Sequence, residues 1–134
     1  MTNQVKWLER RALLLAHEES LAEHGGLRGM RDEGLLDSAL ARPLHLLTYT
    51  ADATLAQLAA SYAYGIARNH PFADGNKRAA FLVFGLFLPP NGWLLQVAPT
   101  EAYYMMMSLA TGETTEEQSA EWIHQNLVAD QPAP

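Results

Sequence analysis

The chain contains no cysteine, which excludes disulfides and thiol catalysis. Long apolar runs are also missing. The longest, Ala79 to Leu88, falls well short of the roughly 18 residues of a membrane span, so no membrane partner is expected. Positive charge is scarce: nine Lys and Arg against fifteen Asp and Glu give a formal net charge of −6. That balance argues against an electrostatic hold on anionic lipid, and no direct nucleic-acid binding is expected. No internal repeat, low-complexity tract or strong hairpin signal is present. The opening "MTNQVKWLERRALLLAHEES" is too charged for a secretory leader, and a cytoplasmic protein is expected.

What is present suits a single soluble all-α domain. The length is 134 residues, with 49% hydrophobic and 18% charged residues, enough for one ordinary core. Residues 1–128 are expected to form the domain and 129–134 a flexible tail. Leu8, Leu15 and Ala22, flanked by Trp7, Leu14 and Leu21, predict an amphipathic helix from Val5 to His24. A glycine-rich loop, "HGGLRGMRDEG", follows, and its length suits a functional loop. "LLDSALARP" reads as a short helix ended by Pro43. The next helix starts near Thr54, capped by Asp52 or Thr54, with Leu55, Leu58, Ala59, Tyr62 and Ile66 inward. A further helix runs from Asn76 or Lys77 to Leu88 and stops at "PPNG". It is apolar on every side, which predicts a buried central helix. Thr100 is expected to cap a helix to Ala110 that buries Ala102, Met105, Met106 and Leu109. Thr114 and Glu117 have capping-box spacing for a last helix with Ala120, Ile123 and Leu127 inward. Only "GWLLQV" around Trp93 suggests extended chain.

The stretch "NHPFADGNKR", Asn69 to Arg78, carries the chemistry. It lies between two helices, so its end forms the first turn of the second one. A helix N-terminus offers unpaired N–H groups and partial positive charge, and so favours anions. Lys77 and Arg78 are unfavourable there until a polyanion reverses the sign. Gly75 permits positive φ and close backbone approach. Asn76 is placed to cap the helix or to donate to a phosphate oxygen. Asp74 is a candidate Mg²⁺ ligand beside phosphates, His70 a candidate general base, and Phe72 a structural anchor. Each residue has an ordinary alternative: a loop histidine, an Asp-Gly turn, an Asn cap. A plain turn, however, needs none of the combination. The spacing does not fit a Walker A loop, because no glycine stands five residues before a GK pair and no Ser or Thr follows Lys77.

"HPFADGNKR" resembles the signature of the Fic superfamily, and within it the death-on-curing (Doc) toxins, whose motif ends Asn-Lys-Arg. "GGLRGMRDEGLLDSALARP" and "LAASYAYGIARNHPF" extend the resemblance over about Glu23 to Leu88. It implies a compact all-α bundle around the helix after the motif. His70 would take a proton from a target hydroxyl, and Phe72 would anchor the loop. Asp74 would face Mg²⁺, Gly75 and Asn76 would cradle the anion, and Lys77 and Arg78 would hold the phosphates of ATP. The AMP-transferring pattern Gly-Asn-Gly-Arg-x-x-Arg is broken twice, by Lys77 and Phe81. In the Doc branch the same changes accompany an inverted nucleotide and phosphorylation of a threonine on elongation factor Tu, which arrests translation. The resemblance therefore implies a protein kinase. Gly75, where some Doc toxins carry Ala, keeps AMP transfer as the alternative, beside a catalytically inactive binding module. An RNA-cleaving toxin is disfavoured by the acidic charge.

No Ser/Thr-x-x-x-Glu-Gly inhibitory element is present. The nearest window, "GMRDEG", has Gly29 where the hydroxyl is required. The resemblance then implies restraint by a separate antitoxin, whose tail folds into a groove. "AHEES" is not a zinc HExxH motif, because Leu21 stands at its last position. His17 and His24 read as helix-surface residues. Tyr103, Tyr104, Met105, Met106 and Met107 read as packing, with a pliable antitoxin groove as the sharper alternative. Arg28, Arg31 and Glu33 read equally as a substrate-side flap or a solvated loop.

Overall fold

The computed structural model describes residues 4–130. Six helices and two short strands follow in order: α1 Arg10–His24, α2 Glu33–Tyr49, α3 Leu55–Asn69, α4 Asn76–Phe87, a 3-10 turn at Pro89–Asn91, β1 Trp93–Leu95, α5 Pro99–Thr111, α6 Glu116–Gln125 and β2 Leu127–Ala129. The all-α class expected from periodicity is the one observed. No helix among the described residues is long and apolar enough to cross a membrane.

The centre of the bundle is α3, which packs against α2, α4, α5 and α6. Its buried positions are mostly small, including Ala56, Ala59, Ala60, Ala63, Gly65 and Ala67, so four helices can approach it at once. The helix after the motif, α4, buries Ala79, Ala80, Val83, Phe84 and Phe87 but leaves Gly85 exposed. It is a major core element rather than the fully enclosed one. High apolarity marked α4, whereas enclosure depends on side-chain size.

Several boundaries differ from expectation, each for a local reason. Residues 5–9 are not helical. Lys6 N donates to Asn91 Oδ1 and Leu8 N to the Tyr62 hydroxyl, so distant groups satisfy this backbone. Along α1 the buried face is Leu13, His17 and Leu21, while Leu15 is half exposed and Ala22 exposed. The core stripe contains a polar residue, which an apolar pattern passes over. Asp32 caps α2 by accepting from Leu35 N, and the helix continues through Pro43 to Tyr49. Leu40, Leu46 and Leu47 pack on the core on both sides of the proline, which offsets the cost of a missing helical bond of about 3 kcal/mol.

Thr54 and Gln57 form the capping box of α3. In α5, Pro99 rather than Thr100 opens the helix, as its fixed φ favours. Ala102, Met106 and Leu109 are buried and Met105 half-buried, whereas Tyr103 and Tyr104 are exposed. The box of α6 is Thr115 with Gln118, one residue later than expected. The Thr114 hydroxyl bonds Ser108 Oγ instead. Ala120 and Ile123 face inward as expected. Trp93–Leu95 is extended and pairs antiparallel with Leu127–Ala129. Ala129 is thus strand-paired and Asp130 N donates to Gly92 O, so order reaches past residue 128. Residues 131–134 of the expected tail lie outside the described residues.

Candidate functional site

His70 to Gly75 connect α3 to α4, and the glycine-rich segment after α1 holds them. Arg31 and Asp32 N–H donate to Pro71 O at 2.7 and 3.0 Å, and Ala73 N donates to Gly29 O at 3.0 Å. Met30 and Phe72 form an isolated antiparallel bridge. The Arg31 guanidinium donates through Nε to His70 O and through Nη2 to Asn69 O, both at 2.6 Å. Arg31 is therefore a strut across the end of α3 rather than a free substrate-side cation. Arg28 is exposed and 3.9 Å from Glu18, while Glu33 pairs with Arg10 at 2.9 Å.

His70 is the C-cap of α3 and has φ 51°, ψ 57°. It alone among the described non-glycine residues has positive φ, a conformation that costs about 1–3 kcal/mol and persists where the surroundings enforce it. The Arg31 bond to its carbonyl and the Ile66 acceptor of its N–H are those surroundings. Its exposed ring places Nδ1 3.2 Å from Arg68 O. A carbonyl only accepts, so this contact assigns the proton to Nδ1. In the neutral ring this tautomer carries its lone pair on Nε2.

Phe72 is 2% exposed, as an anchor should be. Its ring stacks on His17 with centroids 3.8 Å apart and planes at 19°. Its backbone is satisfied by Asn76, whose Oδ1 accepts from Phe72 N at 2.9 Å and whose Nδ2 donates to Phe72 O at 3.0 Å. Asn76 therefore shapes the loop instead of capping α4, whose N-cap is Gly75 and which has no side-chain cap. Ala79 N is the first to bond back, to Gly75 O. The N–H groups of Asn76, Lys77 and Arg78 are the orphans of a helix start. Lys77 and Arg78 are exposed, and neither takes part in the ion pairs of the described residues.

Asp74 is exposed. Its Oδ2 accepts from Leu27 N at 3.1 Å and its Oδ1 from Gly75 N at 2.9 Å. The Leu27 N–H first, then the Gly75 N–H, hold its carboxyl below the usual range. Slight burial opposes them, and the charges of His17 and Lys77 add to them. Asp74 is thus an anion with lone pairs to spare. Among the described residues no group of three or more His, Cys, Asp or Glu is arranged to hold a metal. A single carboxylate fits Mg²⁺, which is typically held by one or two carboxylates together with substrate phosphates and waters. Phe81, where a second arginine would stand in the AMP-transferring pattern, is half-buried and packs edge-on against Phe84.

His17, expected on the surface, is 3% exposed, and its Nε2 lies 2.8 Å from Asp74 O. The spacing Leu13, His17, Leu21 was the signal for it: a histidine four residues from each of two leucines lies on their face.

The sequence model of the Fic/DOC family matches residues 7–88. A protein of Escherichia phage P1 named protein kinase doc is 34% identical over 101 residues, covering 75% of this chain and 79% of that protein. A Mycolicibacterium smegmatis protein named toxin Doc is 43% identical over 89 residues, covering 65% of each.

Proposed function

The chain belongs to the Fic/DOC family, and from that premise we propose that it is a Doc-like toxin that transfers the terminal phosphate of ATP to a protein hydroxyl. The observation that carries this reading is the start of α4. It is a helix N-terminus without a side-chain cap, bearing two cations that form no ion pair among the described residues, in the same short connection as a histidine whose Nε2 is open. Such a start is electrostatically unfavourable when empty and favourable with a bound polyphosphate.

In the proposed step His70 Nε2 takes the proton of the target hydroxyl. The hydroxyl oxygen bonds to the terminal phosphorus as the bond to the β-phosphate oxygen breaks, and ADP leaves. Lys77, Arg78 and the N–H groups of Asn76, Lys77 and Arg78 hold the phosphate oxygens. Asp74 is the residue for Mg²⁺, which when bound neutralises charge on the phosphates. Gly75 and Asn76 keep the cradle in shape. The name of the phage relative, protein kinase doc, supports phosphate transfer over AMP transfer, as does the packed, uncharged Phe81. The proposed target is a threonine of elongation factor Tu. The proposed partner in restraint is a cognate antitoxin whose tail binds a groove on the toxin.

The test supplies elongation factor Tu with ATP labelled on the terminal phosphate, and in parallel with ATP labelled on the first. Terminal label on the target is expected, and none with His70→Ala. First-phosphate label would establish AMP transfer instead. Absence of both labels would leave a binding module or a different target. Full transfer by His70→Ala would remove the proposed base.

A further inference from the structure

His17 is a buried α1 side chain that reaches the loop before α4. Its ring plane is set by stacking on Phe72, and its Nε2 lies 2.8 Å from Asp74 O. That oxygen only accepts, so Nε2 carries the proton. The approach is close: a Cβ on Gly75 would lie 3.3 Å from Nε2.

In a trans peptide the carbonyl oxygen and the following N–H lie in one plane and point in opposite directions. Holding Asp74 O toward α1 therefore turns the Gly75 N–H away from α1. Gly75 is the N-cap directly before the orphan N–H groups of Asn76, Lys77 and Arg78, and its N–H, so turned, donates to Asp74 Oδ1 at 2.9 Å. Gly75 has φ 74°, and glycine accepts either sign of φ. The backbone at Gly75 therefore allows this plane to turn over when nothing holds its carbonyl. Turned over, it would put a carbonyl oxygen among donors and repel an anion.

We infer that His17 is a positioning residue: through Nε2–H it fixes the orientation of the Asp74–Gly75 peptide, and with it the donor polarity of the start of α4. The inference rests on the phosphate-transfer reading for the identity of the anion. His17 itself touches no substrate.

Two variants separate its roles. His17→Gln keeps an N–H donor at similar reach, and His17→Phe keeps the stacked ring without the donor. Thermal melts first establish that both are folded. Inorganic pyrophosphate is then titrated into ¹⁵N-labelled protein while the Gly75 amide resonance is followed, and phosphate transfer is measured alongside. The Gln variant is expected to bind pyrophosphate as the wild type does. The Phe variant should bind roughly tenfold more weakly, the worth of about one hydrogen bond. Its kcat/KM should fall in step, with KM for the target protein unchanged.

A folded Phe variant that binds and turns over normally overturns the inference. So does a Gln variant as impaired as Phe, or a wild-type Gly75 amide indifferent to pyrophosphate. In the wild type, ring ¹H–¹⁵N correlations should show a proton on His17 Nε2. A proton on Nδ1 alone overturns the inference even if neither variant folds. If pyrophosphate binding depends on His17 but no phosphate is transferred, the positioning role stands and the kinase reading falls.

Discussion

Asp74 illustrates how a short side chain can serve both the fold and the site. Its two oxygens accept N–H bonds from Leu27 and Gly75, which ties the glycine-rich segment to the start of α4. Those bonds place its folded-state pKa below the unfolded value. The ionised group therefore stabilises the fold above the usual carboxylate pKa, and the contribution is lost as pH falls through the lower, folded value. Asp74→Asn should melt below the wild type at neutral pH, and the gap should close on acidification. Melting curves across that range check it, and a gap that stays constant to the acid end would contradict it. His70, Phe72, Asp74, Gly75, Lys77 and Arg78 were legible as a group, because their chemical types recur together in a recognisable order. Asn76 was legible as a member but not in its task, since an amide next to a helix start serves as a cap or a loop brace with the same sequence. The burial of His17 was legible from its spacing, but its partner was hidden by distance along the chain. Nothing in "AHEES" indicates that a ring from α1 will stack on Phe72.

At the scale of elements, α3 depends on small residues where other helices cross it. A Cβ on Gly65 would lie 2.9 Å from Arg42 Cδ and 3.0 Å from the Ala39 Cα. Arg42 has little room to yield: it pairs with Glu116, donates to Ser61 O at 3.4 Å and lies 5.0 Å over the Tyr64 ring. Gly65→Ala should destabilise the protein by about 1–3 kcal/mol, read from chemical denaturation. Unchanged stability would mean that α2 can shift to admit a methyl. Helix positions were largely legible from periodicity and caps; of the two caps the sequence offered for α3, Asp52 and Thr54, it is Thr54 that caps, and Gln57 completes the box. Two of the misses share one cause, competition between equally good local signals. "TTEEQ" contains both a Thr-x-x-Glu and a Thr-x-x-Gln box, and packing selects Thr115. Pro43 reads as a stop, and the leucines beyond it override that reading by burying themselves.

For the whole molecule, the toxin reading predicts an effect on the host cell. Expression at high level in a bacterial host is expected to stop growth, and His70→Ala should restore it. Normal growth with the unaltered chain would count strongly against the toxin reading. The two ends of the described chain meet at one place. Asn91 exchanges two hydrogen bonds with the Lys6 backbone, and Gly92 O accepts from Asp130 N. The order of the sequence is therefore separable from the architecture. A short linker could close the chain into a circle, reopened at the exposed turn Gly112–Glu113, and helix content by circular dichroism should be retained. The same cut within Leu27 to Asp32 should fail, because that segment is the brace against which the motif is set.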